Sequence, residues 1–117
     1  ASVTQNAADN SDVLYVPTDN TVANNTGIVD NICHGKVPVF AGEEGICAGC
    51  GVATLSISYY DLGVATGKMA VKILTGEADV SEMPIEYAPN FTKKYNETTC
   101  ADLGITPPDG YQAISAG

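Results

Sequence analysis

Two adjacent carboxylates, Glu43 and Glu44, stand just ahead of a Cys-x-x-Cys, Cys47-Ala48-Gly49-Cys50. A carboxylate pair can do general acid–base work, but no nucleophile and no set of metal ligands accompanies this one. Two other readings stay open. One of the pair could take an ammonium group through a charge-assisted hydrogen bond, or the two could form a solvated acidic helix start favoured by the macrodipole. The cysteines could be a redox pair or half of a zinc site. Zinc would need two more ligands, and the chain has only Cys33, Cys100 and its single histidine, His34, to offer. A thioredoxin-like pair sits at a helix start after a strand in a different surrounding pattern; here Gly45 and Gly49 flank the motif. The expectation is a local disulfide between Cys47 and Cys50 or two ordinary thiols, with no metal and no cofactor. His34 falls near a helix C-terminus, where its charge suits the dipole, and no function is assigned to it.

Two polar groupings complete the candidates. Thr18, Asp19, Asn20 and Thr21 follow an apolar run that stops at Pro17. Asp19 or Asn20 can cap a following helix and leave its first N–H groups free for an anion such as a carboxylate; the plain alternative is a capping loop with no ligand. Ser58 and Tyr59 follow a third apolar run. A tyrosine there could stack on an aromatic solute, or serve as a hinge or core residue.

Elements must position these groups. Residues 2–9 could be the end of a helix, 12–16 read as a buried strand, and a helix is expected from about residue 20 to His34, stopped by Gly35. Val37 to Phe40 is a second strand candidate, with Pro38 near its start where a strand tolerates proline. Glu43-Glu44-Gly45 reads as the opening of a short connection, and Gly51 to Ile57 as a third strand. Tyr60 to Thr75 has the clearest helical spacing, with Gly76 where a helix stop belongs. Extended pieces at 85–87 and 91–95, a short helix at about 98–103, and a closing turn at Pro107-Pro108-Asp109-Gly110 complete the chain. Short apolar strands alternating with helices imply an α/β fold, a parallel sheet flanked by helices. Ligands of such sheets sit at the carboxyl ends of the strands, which is where all three polar groupings fall.

Composition narrows the function. The chain has 117 residues, about one domain, and 44% of them are apolar, a globular profile. Fourteen acidic residues face five basic ones, a net charge of −9, so a nucleic-acid surface or an electrostatic membrane anchor is not expected. No run of about 18 apolar residues exists to span a bilayer. The N-terminal residues carry no export-signal pattern, so any such signal would lie outside this chain. Four cysteines are too few for a disulfide scaffold of this length.

Several motifs in order then match a family. Tyr15-Val16-Pro17-Thr18-Asp19-Asn20-Thr21-Val22, Val37 to Glu44, Tyr59-Tyr60-Asp61-Leu62-Gly63, Thr66-Gly67-Lys68-Met69-Ala70-Val71-Lys72-Ile73-Leu74, and Gly76-Glu77 stand in sequence, with Asn96 and Ala101 to Ile105 beyond them. Over about residues 10–106 the chain resembles the ABC-transporter substrate-binding family of tryptophan/tyrosine type. The resemblance implies two flavodoxin-like lobes of the type I periplasmic-binding-protein fold, of which this is the C-terminal portion. Residues 1–58 would belong to the second lobe, 59–83 to a helix and loop packing on the missing first lobe, and 84–117 to the C-terminal strands, short helix and tail. It implies a non-enzymatic, extracytoplasmic binder, lipid-anchored through the absent N-terminus. Its partners would be a small solute, an amino acid and by analogy an aromatic one, a membrane permease, and the missing lobe or a second chain. Thr18, Asp19, Asn20, Thr21, Glu43, Glu44, Ser58 and Tyr59 would face the solute. Asn-x-Thr sequons at Asn24, Asn90 and Asn96 matter only in a secreted eukaryotic protein, and the family is bacterial. A sensing module of the same fold without transport, or a small redox or metal protein using Cys47 and Cys50, are the rival readings. Gly-rich phosphate loops are absent, which argues against the ATPase subunit of a transporter.

Overall fold

The computed structural model describes residues 1–114. Among the described residues six helices and five strands follow one another: α1 (Ser2–Asp9), β1 (Leu14–Val16), α2 (Asn20–Ala23), α3 (Thr26–Cys33), β2 (Val39–Ala41), α4 (Glu44–Cys50), β3 (Ala53–Ile57), α5 (Tyr59–Leu74), β4 (Phe91–Tyr95), α6 (Glu97–Leu103) and β5 (Gln112–Ala113). The strands form one sheet in the order β1-β2-β3-β4-β5.

Register decides which side chains share a face. β1 and β2 run parallel with Tyr15 opposite Phe40, and β2 and β3 run parallel with Phe40 opposite Ala53. Side chains alternate along a strand, so Tyr15, Phe40, Ala53 and Leu55 share one face, and Leu14, Val16, Val39, Ala41 and Thr54 the other. β4 and β5 are also parallel. The Asn96 amide, just past β4, donates to the carbonyl of Val52, just before β3. The end of β4 therefore meets the start of β3, and the sheet is mixed where an all-parallel one was expected. The α/β class with flanking helices stands.

Several local outcomes differ from expectation for identifiable reasons. The helix expected from residue 20 to His34 divides at Asn24-Asn25, because Thr-Val-Ala-Asn-Asn is poor in strong helix formers and the Asn25 side chain donates to the Thr21 carbonyl. Residues 44–50, expected as a connection, are helical despite two glycines. Glu43 caps that helix, and Ile46, Cys47 and Cys50 bury one face of it. Residues 85–87 form no strand. Chain order does not end at the Pro107–Gly110 turn, since β5 follows it and joins β4.

The chain divides into two compact units, Ala1–Ser56 with the chain from Lys93 onward, and Ile57–Thr92. The first unit holds two hydrophobic clusters. One gathers Ala8 of α1, Val29 and Cys33 of α3, Ile46, Cys47 and Cys50 of α4, and Val39 and Ala41 of β2, with Leu14 and Val16 packed against it. The other gathers Val52, Ala53 and Cys100 with Tyr95, Leu103, Ile105 and Tyr111. On the sheet face away from the first cluster Tyr15 is 70% exposed and Leu55 58%. The second unit is α5 and the segment after it. Ser58 caps α5 by accepting from the Asp61 amide, and Gly76 takes a positive φ of 75° just beyond the helix, where a residue without Cβ is favoured. No residue of α5 is buried.

Candidate functional site

β1 and β2 are parallel neighbours, so their carboxyl ends lie side by side and the loops leaving them must meet. The Gly42 amide donates to the Val16 carbonyl at 2.8 Å, and the Thr18 hydroxyl reaches back to the Gly42 carbonyl at 3.4 Å. Gly42 is what permits the approach. A Cβ there would stand 2.9 Å from the Thr18 nitrogen and 3.1–3.2 Å from Pro17 backbone atoms, a backbone-to-backbone clash with no flexible side chain to yield. Thr18, Asp19, Asn20 and Thr21 are thereby brought beside Glu43 and Glu44. Four-residue polar loops are common; two of them locked together at strand ends, at the carboxyl edge of a sheet, are the usual place for a ligand in open α/β folds.

The carboxylates in this cluster have defined work. Asp19 adopts an extended backbone and its side chain accepts from the Val22 amide at 2.9 Å, capping α2. Glu43 caps α4 with both oxygens, accepting from the amides of Gly45, at 2.9 Å, and Ile46. Side-chain caps of this kind satisfy the orphan donors of a helix start. Of the amides at the start of α2 expected to stay free for an anion, that of Val22 is already taken by the Asp19 carboxylate. Thr18, Asp19, Asn20, Thr21 and Glu44 are exposed, and Glu43 half-buried. Ser58 and Tyr59 belong to the second unit. Ser58 is half-buried with its hydroxyl spent on capping α5, and Tyr59 is 59% exposed.

The cysteines resolve differently from the disulfide alternative. Cys33, Cys47, Cys50 and Cys100 are all free and buried. α4 runs unbroken through Cys47 and Cys50, and the Cys50 thiol turns back onto the Ile46 carbonyl at 3.4 Å instead of toward Cys47. Burial, helped by the neighbouring Cys100 and Cys50 sulfurs and by Glu44, pushes the Cys47 thiol up to about 12. Burial and the charge of Asp30 push Cys50 up to about 11. A reactive dithiol needs the opposite, an exposed sulfur with a depressed pKa. Among the described residues no group of three or more His, Cys, Asp or Glu is placed to hold a metal ion.

Two residues were not singled out for the positions they take. Asn96 caps α6 by accepting from the Thr99 amide, while its NH2 group donates to the Ala48 carbonyl at 3.1 Å and, longer, to that of Cys47. It pins the start of α6 to the last turn of α4. Gly42 had a signal in the sequence, a glycine directly after a strand and before two acids, but nothing local says which backbone it must admit. Within the second unit, an open groove of about 900 Å³ runs along α5, lined by Val64, Lys68 and Val71 on the helix and Glu86, Pro89 and Asn90 on the segment after it. Among the described residues no helix is long and apolar enough to cross a membrane.

Comparison with known proteins supplies the rest. The family model for the ABC transporter substrate binding protein family matches residues 1–115. The chain is 37% identical over 95 residues to a tyrosine-binding protein of Clostridioides difficile, a match that covers 80% of this chain and 27% of that protein. A substrate-binding protein with adhesive properties from Clostridium difficile, solved ligand-free and open, is 36% identical with a TM-score of 0.75, covering 97% of this chain and 40% of its own. An ABC domain from Streptococcus pneumonia in complex with L-Trp is 30% identical with a TM-score of 0.81, covering 97% and 41%. The chain thus spans between about a quarter and two fifths of these relatives. With the family model matching residues 1–115, the chain belongs to the ABC transporter substrate-binding protein family.

Proposed function

We propose that this chain is the C-terminal portion of an extracytoplasmic solute-binding protein that takes an aromatic amino acid between two lobes and hands it to an ABC permease. The observation that carries the reading is the relationship, over 80% of this chain, to a protein named for binding tyrosine. The relative holding L-Trp, matched over 97% of this chain, supports the same solute class. The joined loops at the ends of β1 and β2 would form one wall of the site, with the Thr18 hydroxyl, Asp19, Asn20, Thr21 and Glu44 available to a solute. Glu43 would act mainly by shaping the wall, since both its oxygens cap α4. In the second unit, Ser58 would hold the start of the helix that carries Tyr59, whose ring is of a kind that stacks on aromatic groups. The other wall would come from the first lobe. A site with one wall absent should bind weakly, because a pocket that buries most of its ligand needs both sides.

α5, with no residue buried, would pack against that first lobe. The bare sheet face of Tyr15, Phe40 and Leu55 would be covered by the part of this lobe that precedes the chain. Closure around the solute would be a hinge motion.

Calorimetric titration of the whole protein with a panel of amino acids tests the proposal. Saturable one-to-one binding of tyrosine or tryptophan is expected. Absence of heat with every amino acid would remove the solute assignment and leave family and fold untouched.

A further inference from the structure

The two hydrophobic clusters of the first unit do not share α3 and α6. α3 packs in the cluster with α1, α4 and β2, whereas α6 packs through Cys100 and Leu103 on Val52 and Ala53. A polar bridge spans them. His34, at the C-terminal end of α3, places Nδ1 3.0 Å from an Asp30 carboxylate oxygen, one turn back on the same helix. It places Nε2 2.9 Å from a carboxylate oxygen of Asp102, on α6 and 68 residues away in sequence.

Imidazole chemistry makes this contact conditional. A neutral ring has one N–H and one lone pair, so it can donate to one carboxylate and must turn its lone pair toward the other. Only the doubly protonated ring donates to both. We infer that His34 is a proton-dependent clasp: protonated, it ties α6 to the end of α3, and on losing its proton it releases one of the two carboxylates.

The surrounding charges point the same way. The groups facing the ring are Asp30 from α3 and Asp102 from α6, and hydrogen bonds to them raise the proton affinity of His34 above the ordinary imidazole value. Lys36, in the turn after α3, is paired with Asp9 of α1. The adjacent Cys33 thiol is buried and pushed up, so it stays neutral through the same range. A folded pKa raised above the unfolded value of about 6.5 gives a definite sign. The clasp contributes fully below that value and is lost as pH rises through the elevated one. The His34 side chain is 42% exposed, so bulk protons reach it and the effect is that of a screened surface contact. Asp30, on the same helix, keeps its hold on the ring. The contact that opens is the one to Asp102, and α6 loosens with it.

Amide exchange on the whole protein tests this. Protection factors are compared between about pH 5.5 and about pH 8.5, a range that brackets imidazole titration, for the Cys100, Gly104 and Ile105 amides, whose hydrogen bonds close α6. They should fall roughly two- to fivefold across that range, the scale of one exposed ion pair, and should not fall in His34→Gln. Equal pH dependence in both proteins overturns the inference. A ring titration by NMR, assigned by difference from His34→Gln, is the independent measurement. Asp102→Asn should lower the His34 pKa; an unchanged pKa in Asp102→Asn also overturns the inference.

Discussion

At Gly42 one hydrogen atom decides how closely two loops approach. The missing Cβ lets the loop after β2 press against the backbone of Pro17 and Thr18, and that approach joins the Thr18 loop to the Glu43 loop. Gly42→Ala must push the loops apart. It should destabilise the fold by about 1–3 kcal/mol, the scale of overpacking, read as a lower denaturation midpoint at unchanged slope, and it should weaken solute binding by the whole protein. The caps beside it allow charge and shape to be separated. Asp19→Asn keeps an acceptor for the Val22 amide, so stability should hold within a few tenths of a kcal/mol, whereas Asp19→Ala should cost about 1 kcal/mol. If the Asp19 charge also meets a solute ammonium, Asn will lose affinity without losing stability; equal affinity in Asn and wild type would place Asp19 in the cap alone. The Asp19 cap was legible from residue types, because Asp before a helical stretch is a capping signal in its own right. The use of both Glu43 oxygens on amides was not legible. It depends on a helix whose glycines hide it, and a hidden helix start has no donors to count.

Among the elements, α4 carries the largest gap between sequence and structure. Glu-Gly-Ile-Cys-Ala-Gly-Cys has little intrinsic helix preference; the helix exists because Ile46, Cys47 and Cys50 bury one face of it. Burial, not propensity, makes most short helices, and burial is what a single sequence does not display. The same burial governs the thiols. Ellman's reagent at about pH 8, near the ordinary thiol pKa, should titrate all four cysteines quickly in denaturant and Cys47 and Cys50 only slowly in the folded protein. Fast reaction of either in the native state, or a mass two hydrogens lighter than the reduced chain, would contradict the free, buried thiols. β3 offers a second test. Thr54 is 2% exposed and its hydroxyl has no hydrogen-bond partner. An unsatisfied buried hydroxyl is costly, and valine has nearly the same shape and suits a strand. Thr54→Val should therefore raise stability by about 1 kcal/mol, seen as a higher Tm. A loss of similar size would mean that the hydroxyl is satisfied in solution by a bound water.

For the molecule as a whole, β1, β2 and β3 were readable because strands of three to five residues stand out as apolar runs beside Pro or Gly. The reversal at β4 was not, since strand orientation is set by long-range pairing that local residue patterns do not display. α5 has the opposite difficulty. Its spacing is that of a packed helix, yet Val64 is 41% exposed, Val71 57% and Leu74 86%. A sixteen-residue helix with an apolar stripe and no buried residue is a poor solution in water, and under the two-lobed reading its cover is the first lobe. Val71→Ser separates the alternatives. In the 117-residue chain alone the position is exposed, so the change should stay within about 0.5 kcal/mol. In the whole protein, where the first lobe would bury it, the same change should cost about 2 kcal/mol, the worth of one buried valine. Denaturation of the four proteins, two lengths each with and without the substitution, measures the difference directly. If the penalty appears only at full length, α5 is an element of the lobe–lobe contact. If it is small at both lengths, the helix faces solvent in the intact protein too, and its apolar stripe must be assigned to a partner outside the chain.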